Sequence, residues 1–247
     1  MRLTVLGGCG AWPEPGQACS GYMIEHDGFL LVVELGYATM PRLIEYVDAG
    51  RVDAVYISHA HPDHCADLNP LLRARALRDN PAPPLAIYSP AGALDAVLAL
   101  DRHETLAGSY QLHDVAPGAS LEIGPFRADV RLLPHWLPNL GLRLSAAGRV
   151  LAYTGDTGPS EEVVHLAKDV DLLLAEATYT ELVPDDARQY MSSAGGAARQ
   201  AAAAGAGRLL LTHLWPGSDQ AAAIAAAAAE YHGDLGIATA GLAIDLS

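Results

Sequence analysis

Apolar residues fall in short runs broken by glycine, proline and charged positions. Ten runs predict strands: Leu3–Leu6, Tyr22–Glu25, Leu30–Leu35, Ala54–Ile57, Ala86–Tyr88, Arg127–Leu133, Leu140–Leu144, Val150–Tyr153, Leu172–Ala175 and Leu209–Thr212. Their leucine-rich and β-branched character predicts sheets buried on at least one face. Helical patterns lie between them, at Pro41–Val47, Asp67–Leu77, Ala91–Leu98, Ser160–Ala167, Gly195–Ala204 and Gln220–Tyr231. The last two are built mainly on alanine, the strongest helix former, and read as ordinary helices. Strands and helices mix along the whole chain, which defines the α/β class. The proline-rich stretch Asn80–Pro84 is brief and reads as a rigid connection. With no linker to divide it, the chain is expected to fold as one domain over residues 1–247.

Composition narrows the classes. Fifteen basic and twenty-nine acidic residues give a net charge of −14, which opposes long-range attraction to nucleic acid or anionic membranes. A small anionic substrate is still allowed, because a local metal charge does not register in the net balance. No apolar run is long enough to span a bilayer. The start, Met1-Arg2-Leu3-Thr4-Val5-Leu6-Gly7, reads as a short strand rather than a signal peptide. Cys9, Cys19 and Cys65 make neither a zinc-ribbon spacing nor a disulfide framework, so a reducing cytoplasm is expected.

Candidate chemistry follows the ends of apolar runs. After Val55-Tyr56-Ile57 comes Ser58-His59-Ala60-His61-Pro62-Asp63-His64, with three imidazoles and a carboxylate within six positions. Such donors suit zinc, and also manganese or iron. The His-x-His pair can reach one ion from one side of a loop, while Asp63 and His64 turn toward a second. His135, Asp156 and His213 each stand just past a later predicted strand. Cys65 reads as a small buried residue opening the next helix. His26, His103, His113, His165 and His232 stand alone in polar surroundings and read as surface or structural residues.

The pattern His59-x-His61-x-Asp63-His64, with His135, Tyr153-Thr154-Gly155-Asp156 and Thr212-His213 following in order, resembles the metallo-β-lactamase superfamily over essentially the whole chain. The resemblance implies a four-layer αββα sandwich holding two divalent ions, most simply zinc, at one edge of its sheets. His59, His61 and His135 would hold one ion; Asp63, His64 and His213 the other; Asp156 would bridge them. It also implies hydrolysis by a water activated between the two ions, with Asp63 orienting that water. Glu34 stands where the family usually carries aspartate, which leaves the outer geometry of the site open.

Within the superfamily the chain is most similar to ribonuclease Z and related small phosphodiesterases, including cyclic-nucleotide phosphodiesterases. That likeness rests on His135 through Gly141-Leu142-Arg143, on Ala175-Glu176-Ala177-Thr178, and on Tyr190-Met191-Ser192. It implies catalytic roles for Asp63, Glu176 and Tyr190, with Glu176 orienting the Tyr190 segment and the Tyr190 hydroxyl pointing into the site. Tyr190 replaces a histidine of that family, and Ala175 replaces another. A tRNA-gripping arm and the Pro-x-Lys-x-Arg-Asn loop have no counterpart. The expected activity is therefore hydrolysis of a small phosphodiester such as a cyclic nucleotide, with tRNA disfavoured. The alternatives are a ribonuclease Z-like RNA 3′-processing endonuclease, a hydrolase of lactones, thioesters or amides, and a non-catalytic metal-binding module. A homodimer is compatible with all of these.

Overall fold

The computed structural model describes residues 1–246, with His103 described by its backbone alone. Among the described residues, fifteen strands form two sheets. The first sheet takes β1 (Arg2–Cys9), β2 (Ala18–Cys19), β3 (Gly21–His26), β4 (Phe29–Leu35), β5 (Ala54–Tyr56), β6 (Leu85–Ser89) and β7 (Tyr110–Asp114). The second is built from β8 (Ser120–Ile123), β9 (Phe126–Leu133), β10 (Asn139–Ala146), β11 (Arg149–Tyr153), β12 (Leu172–Glu176), β13 (Arg208–Thr212) and β14 (Asp234–Ile237). The last strand, β15 (Ala243–Asp245), returns to the first sheet beside β1. The orders are β15-β1-β3-β4-β5-β6-β7, with β2 beside β1, and β14-β13-β12-β11-β10-β9-β8. Each sheet is antiparallel in one part and parallel in the other: β4 through β7 and β11 through β14 run parallel.

Central strands are apolar on both faces because both faces are covered. In β4, Leu31 and Val33 enter the core between the sheets. Leu30 and Val32 enter a second core with Leu43, Leu68, Leu71 and Leu72. These come from or adjoin α1 (Thr39–Tyr46) and α3 (Leu68–Ala76), separated by the single turn α2 (Pro62–Cys65). Two further short helices, α4 (Asp95–Leu98) and α5 (His103–Leu106), complete that side. In β12, Leu172 and Leu174 point between the sheets. Leu173 and Ala175 meet α6 (Glu161–Leu166) and α7 (Ala194–Ala204), and α8 (Gln220–Ala228) packs on α7. This is the expected αββα sandwich.

The ten predicted strands all form, with boundaries moved by a few residues. β2, β7, β8, β14 and β15 carried no clear apolar run, and the last four are the edges of the two sheets. An edge strand is flanked on one side only and needs fewer apolar residues; in β7, Gln111, Leu112 and Asp114 are exposed. The expected helix Ala91–Leu98 shortens to Asp95–Leu98, since Pro90 and the left-handed Gly92 set a turn first.

Hydrogen bonds staple the sheets together at one end. The Tyr56 hydroxyl donates to Leu140 O at 2.8 Å, and Leu140 N donates to Ser58 O at 3.0 Å. The hydroxyls of Tyr22 and Thr212 lie 2.5 Å apart. All three side chains are buried, where an unpaired polar group is costly. Tyr56→Phe should therefore lower stability by about 1–3 kcal/mol; urea unfolding checks this, and a midpoint unchanged from the parent would contradict it.

Candidate metal centre

The stapled edge gathers the carboxyl ends of β4, β5, β9, β11, β12 and β13. The loop after β5 carries His59 and His61, the latter in extended backbone. Pro62 then opens α2, at the helical position where a missing N–H costs nothing. That turn brings Asp63 and His64 round to face a different point from His59 and His61. Gly36 permits this, because a Cβ there would lie 1.8 Å from Asp63 O.

All seven residues singled out from the sequence converge, in two groups that share Asp156. In the first, His59 Nε2 and His135 Nε2 lie 3.0 and 3.1 Å from His61 Nδ1. Asp156 Oδ2 is 3.8 Å from His59 Nε2 and 3.9 Å from His135 Nε2. In the second, His213 Nε2 is 3.1 Å from Asp63 Oδ2 and 3.3 Å from Asp156 Oδ2. His64 Nε2 is 3.2 Å from Asp156 Oδ1 and 3.6 Å from Asp63 Oδ2.

These donors fit a pair of divalent ions. Two nitrogens on one tetrahedral zinc lie about 3.3–3.4 Å apart, given bonds near 2.0–2.1 Å, and the spacings above bracket that. His64 Nε2 and Asp156 Oδ1 are buried yet make no hydrogen bond. They lie 3.2 Å apart in the second group, and a cation there would satisfy both.

Outer contacts set the rings. His135 Nδ1 faces the carbonyl oxygen of Tyr190 at 3.0 Å. A carbonyl only accepts, so Nδ1 carries the proton and Nε2 keeps its lone pair. His59 Nδ1 meets Ser58 Oγ, and His213 Nδ1 meets Thr178 Oγ1, each at 2.9 Å. Asp63 Oδ2 accepts from Ala11 N at 2.7 Å. Asn139 Nδ2 donates to the carbonyls of Thr154 and Asp156, holding the Asp156 loop. His213 itself sits at φ +58°, with its ring against Gly10, where a Cβ would fall 2.7 Å from ring atoms. Sequence reasoning missed Gly10, Ser58, Asn139 and Thr178. The glycines after β1 hinted at a close approach, but Asn139 has no local signal.

Glu34 reaches the site through a bulge. Gly21 pairs with Leu35 and Tyr22 with Val33, so Glu34 is the unpaired extra residue, at φ +62°. A bulge of this kind re-aims a side chain. Its Oε1 accepts from Ser58 N at 2.9 Å, and Oε2 lies 3.7 Å from His64 Nδ1. Burial pushes this carboxyl up to about 7, against the pull of His64.

Glu176 is buried and accepts from Thr178 N at 3.1 Å and Ser192 N at 2.7 Å. It thus ties the end of β12 to the segment after Tyr190. Burial, with Asp156 nearby, raises it to about 8. Tyr190 meets the ligand set through its carbonyl, and its ring rests 5.2 Å from that of Trp136. Cys65 stands outside both groups; its buried thiol is pushed up to about 12. His26, His113, His165 and His232 also stand outside them, and the His103 side chain lies outside the described residues.

Electrostatics divides the two groups. Burial, reinforced by the neighbouring charge of His64, holds His59 well below the ordinary range. Burial likewise lowers His61 and His135. These rings stay neutral, as ligands must. Burial works against a charged His64 too, but Asp156 and Asp63 overcome it and raise that ring to about 10. His213 is raised by Asp156 in the same way, against its burial. Asp156 resists the upward push of burial through His213 and His64 and is held well below the carboxylate range. Protons therefore occupy the second group without metal, and ion binding there must release them.

Comparison with known proteins places this geometry in context. A family model described as a beta-lactamase superfamily domain matches residues 33–214. The probable metallo-hydrolase YhfI of Bacillus subtilis is 30% identical over 218 residues, covering 87% of each chain. Ribonuclease Z of Kineococcus radiotolerans is 29% identical over 235 residues, covering 76% of this chain and 74% of that one. The crystal structure of the YhfI metallo-beta-lactamase fold protein superposes with a TM-score of 0.89 at 28% identity over 99% of both chains. Human tRNase Z, short form, gives 0.82 at 24% identity over all of both chains, a likeness of fold. Similarity of this reach, in sequence and in backbone, shows that the chain belongs to the metallo-β-lactamase superfamily of hydrolases and resembles ribonuclease Z within it.

Proposed function

We propose that this hydrolase is a dinuclear, zinc-dependent phosphodiesterase acting on a small phosphodiester such as a cyclic nucleotide. The observation that carries the choice of substrate is the groove beside His135. It has a volume of about 920 Å³ and is lined by Trp136, Leu137, Pro138 and Pro117, with Asp114 and Glu162 at its margin and no arginine or lysine. An RNA backbone needs a track of cations to neutralise successive phosphates. A single phosphodiester needs positive charge only where it reacts.

Two divalent ions held by the seven ligands would lower the pKa of water toward neutrality and offset charge on a phosphoryl oxygen. The protein's own groups prepare that chemistry. Asp63 Oδ2 is engaged by Ala11 N and faces His213, which leaves Oδ1 to accept a hydrogen bond from the attacking water and orient it. Glu176 fixes the segment that presents Tyr190, through Ser192 N. The Tyr190 hydroxyl is assigned to donate toward the leaving oxygen. The ribonuclease Z relatives make precursor tRNA the competing substrate, and the lining of the groove speaks against it.

Purified protein should carry about two divalent ions per chain, the complement of a carboxylate-bridged pair of His-rich sites. His64→Ala and Asp156→Ala should lower both metal content and turnover. Elemental analysis after zinc or manganese supplementation is the check, and metal-free protein would rule out a dinuclear centre. A panel of cyclic nucleotides and an aryl phosphodiester should be hydrolysed, while a tRNA precursor should not be cut efficiently at its 3′ end. Single-turnover cleavage at the rate of a genuine ribonuclease Z would overturn that assignment. Tyr190→Phe should reduce kcat about 100- to 10,000-fold, the range of a lost general acid, with metal content unchanged; parental kcat on the best diester would remove Tyr190 from the mechanism.

A further inference from the structure

All three tryptophans of the chain adjoin the metal ligands. Trp12 follows Ala11, whose N–H holds Asp63. Trp136 follows His135, and Trp215 stands two residues past His213. Each is markedly exposed, at 47%, 53% and 40% respectively. Core packing does not account for three exposed indoles around one buried polar centre. A small phosphodiester whose phosphorus sits between the two ligand groups would bring its other substituents against these rings.

The three are not equivalent. Trp12 and Trp215 pack edge to face at 5.1 Å, and Tyr179 lies nearly parallel to Trp215 at 6.3 Å. They contact one another, and the cavity beside Trp215 is only about 20 Å³, too small for a ring. Trp136 instead lines the groove of about 920 Å³ that also touches His135. Its indole is backed by Tyr190, with ring centres 5.2 Å apart, and by the His135 ring at 5.2 Å. Prolines 90, 117, 134 and 138 make much of the remaining wall. Their rings are rigid, so the groove is shaped before a ligand arrives. An aromatic face supported from behind, in a preformed apolar slot next to a phosphate-handling centre, suits a planar heterocycle attached to a phosphate.

We propose that Trp136, supported by Tyr190, is the stacking platform for the nucleobase of a nucleotide substrate, and that the groove beside His135 is the base subsite. This rests on the phosphodiesterase reading above and adds the chemical class of the substituent and the residue that selects it. Stacking makes no use of base edges, so the subsite should accept purines broadly. The preference for a small substrate also follows, because one base fills the platform and the groove itself holds no arginine or lysine.

The test compares two probes that differ only by the base, adenosine 5′-monophosphate and ribose 5-phosphate, by calorimetry on the metal-loaded protein. Stacking of a base on an aromatic side chain contributes about 5- to 150-fold in affinity. The parent should bind the nucleotide tighter than the sugar phosphate by a factor in that range. Trp136→Ala should remove the difference by weakening the nucleotide alone, and Trp136→Phe should restore most of it. Metal content is measured alongside, so that a disturbed His135 is recognised. Equal affinities in the parent, or a difference that survives Trp136→Ala with metal retained, would overturn the proposal. Failure to hydrolyse any phosphodiester, with the Trp136-dependent difference intact, would instead sink the phosphodiesterase reading and leave the base subsite standing.

Discussion

Asp156 is 3% exposed and lies between two groups of imidazoles. A carboxylate so placed loses most of its hydration, and the surrounding protein must compensate. Here it does so with His59 and His135 on one side and His64 and His213 on the other. The compensation is partial, since Asp156 Oδ1 and His64 Nε2 stay without a hydrogen bond. Buried polar groups left in this state are tolerated when something else is meant to bind them. The sandwich supplies the rigidity that keeps them apart. With the hydroxyls of Tyr56 and Tyr22 reaching from one sheet to the other, the loops carrying the ligands have little freedom to collapse inward and pair off.

The same rigidity explains the local strain around the centre. Glu34 and His213 both hold left-handed backbone, at φ +62° and +58°, a conformation costly for residues with a Cβ. Each sits where a strand ends and its side chain must swing into the site. Glu34 is longer than the aspartate usual in the family. The bulge in β4 takes up its position, bringing one carboxylate oxygen to Ser58 N and the other to within 3.7 Å of the His64 ring. The departure that the sequence left open is thus absorbed by backbone geometry.

The groove beside His135 is lined mainly by apolar residues, with Asp114 and Glu162 among them. With a net charge of −14 and no arginine or lysine in that groove, divalent ions held by the seven donors would be the positive charge a substrate met there. Under the proposed function, that lining suits substrates whose recognition, apart from one phosphate, is apolar or stacking.

The central strands and the ligand set were legible in the sequence. Strands covered on both faces are apolar in long runs, as in Leu30–Val33 and Leu209–Leu211, and donors that follow such runs stand out against them. His59 through His64 could be read as one loop because four donors fall within six positions. Their alternation of extended backbone and a proline-led turn is itself local. The four sheet edges were not legible, since half-covered strands need few apolar residues. Nor were Asn139 on the Asp156 loop, Gly10 against the His213 ring, the bulge that aims Glu34, or the groove along Trp136. Each of these depends on segments distant in the chain: Gly10 and His213 meet only when the end of β1 closes on the residues after β13. Local pattern determined which residues are apolar, helical or able to hold metal; only the packing of one sheet on the other decided which of them touch, because burial and backbone pairing act between segments that sequence spacing does not relate.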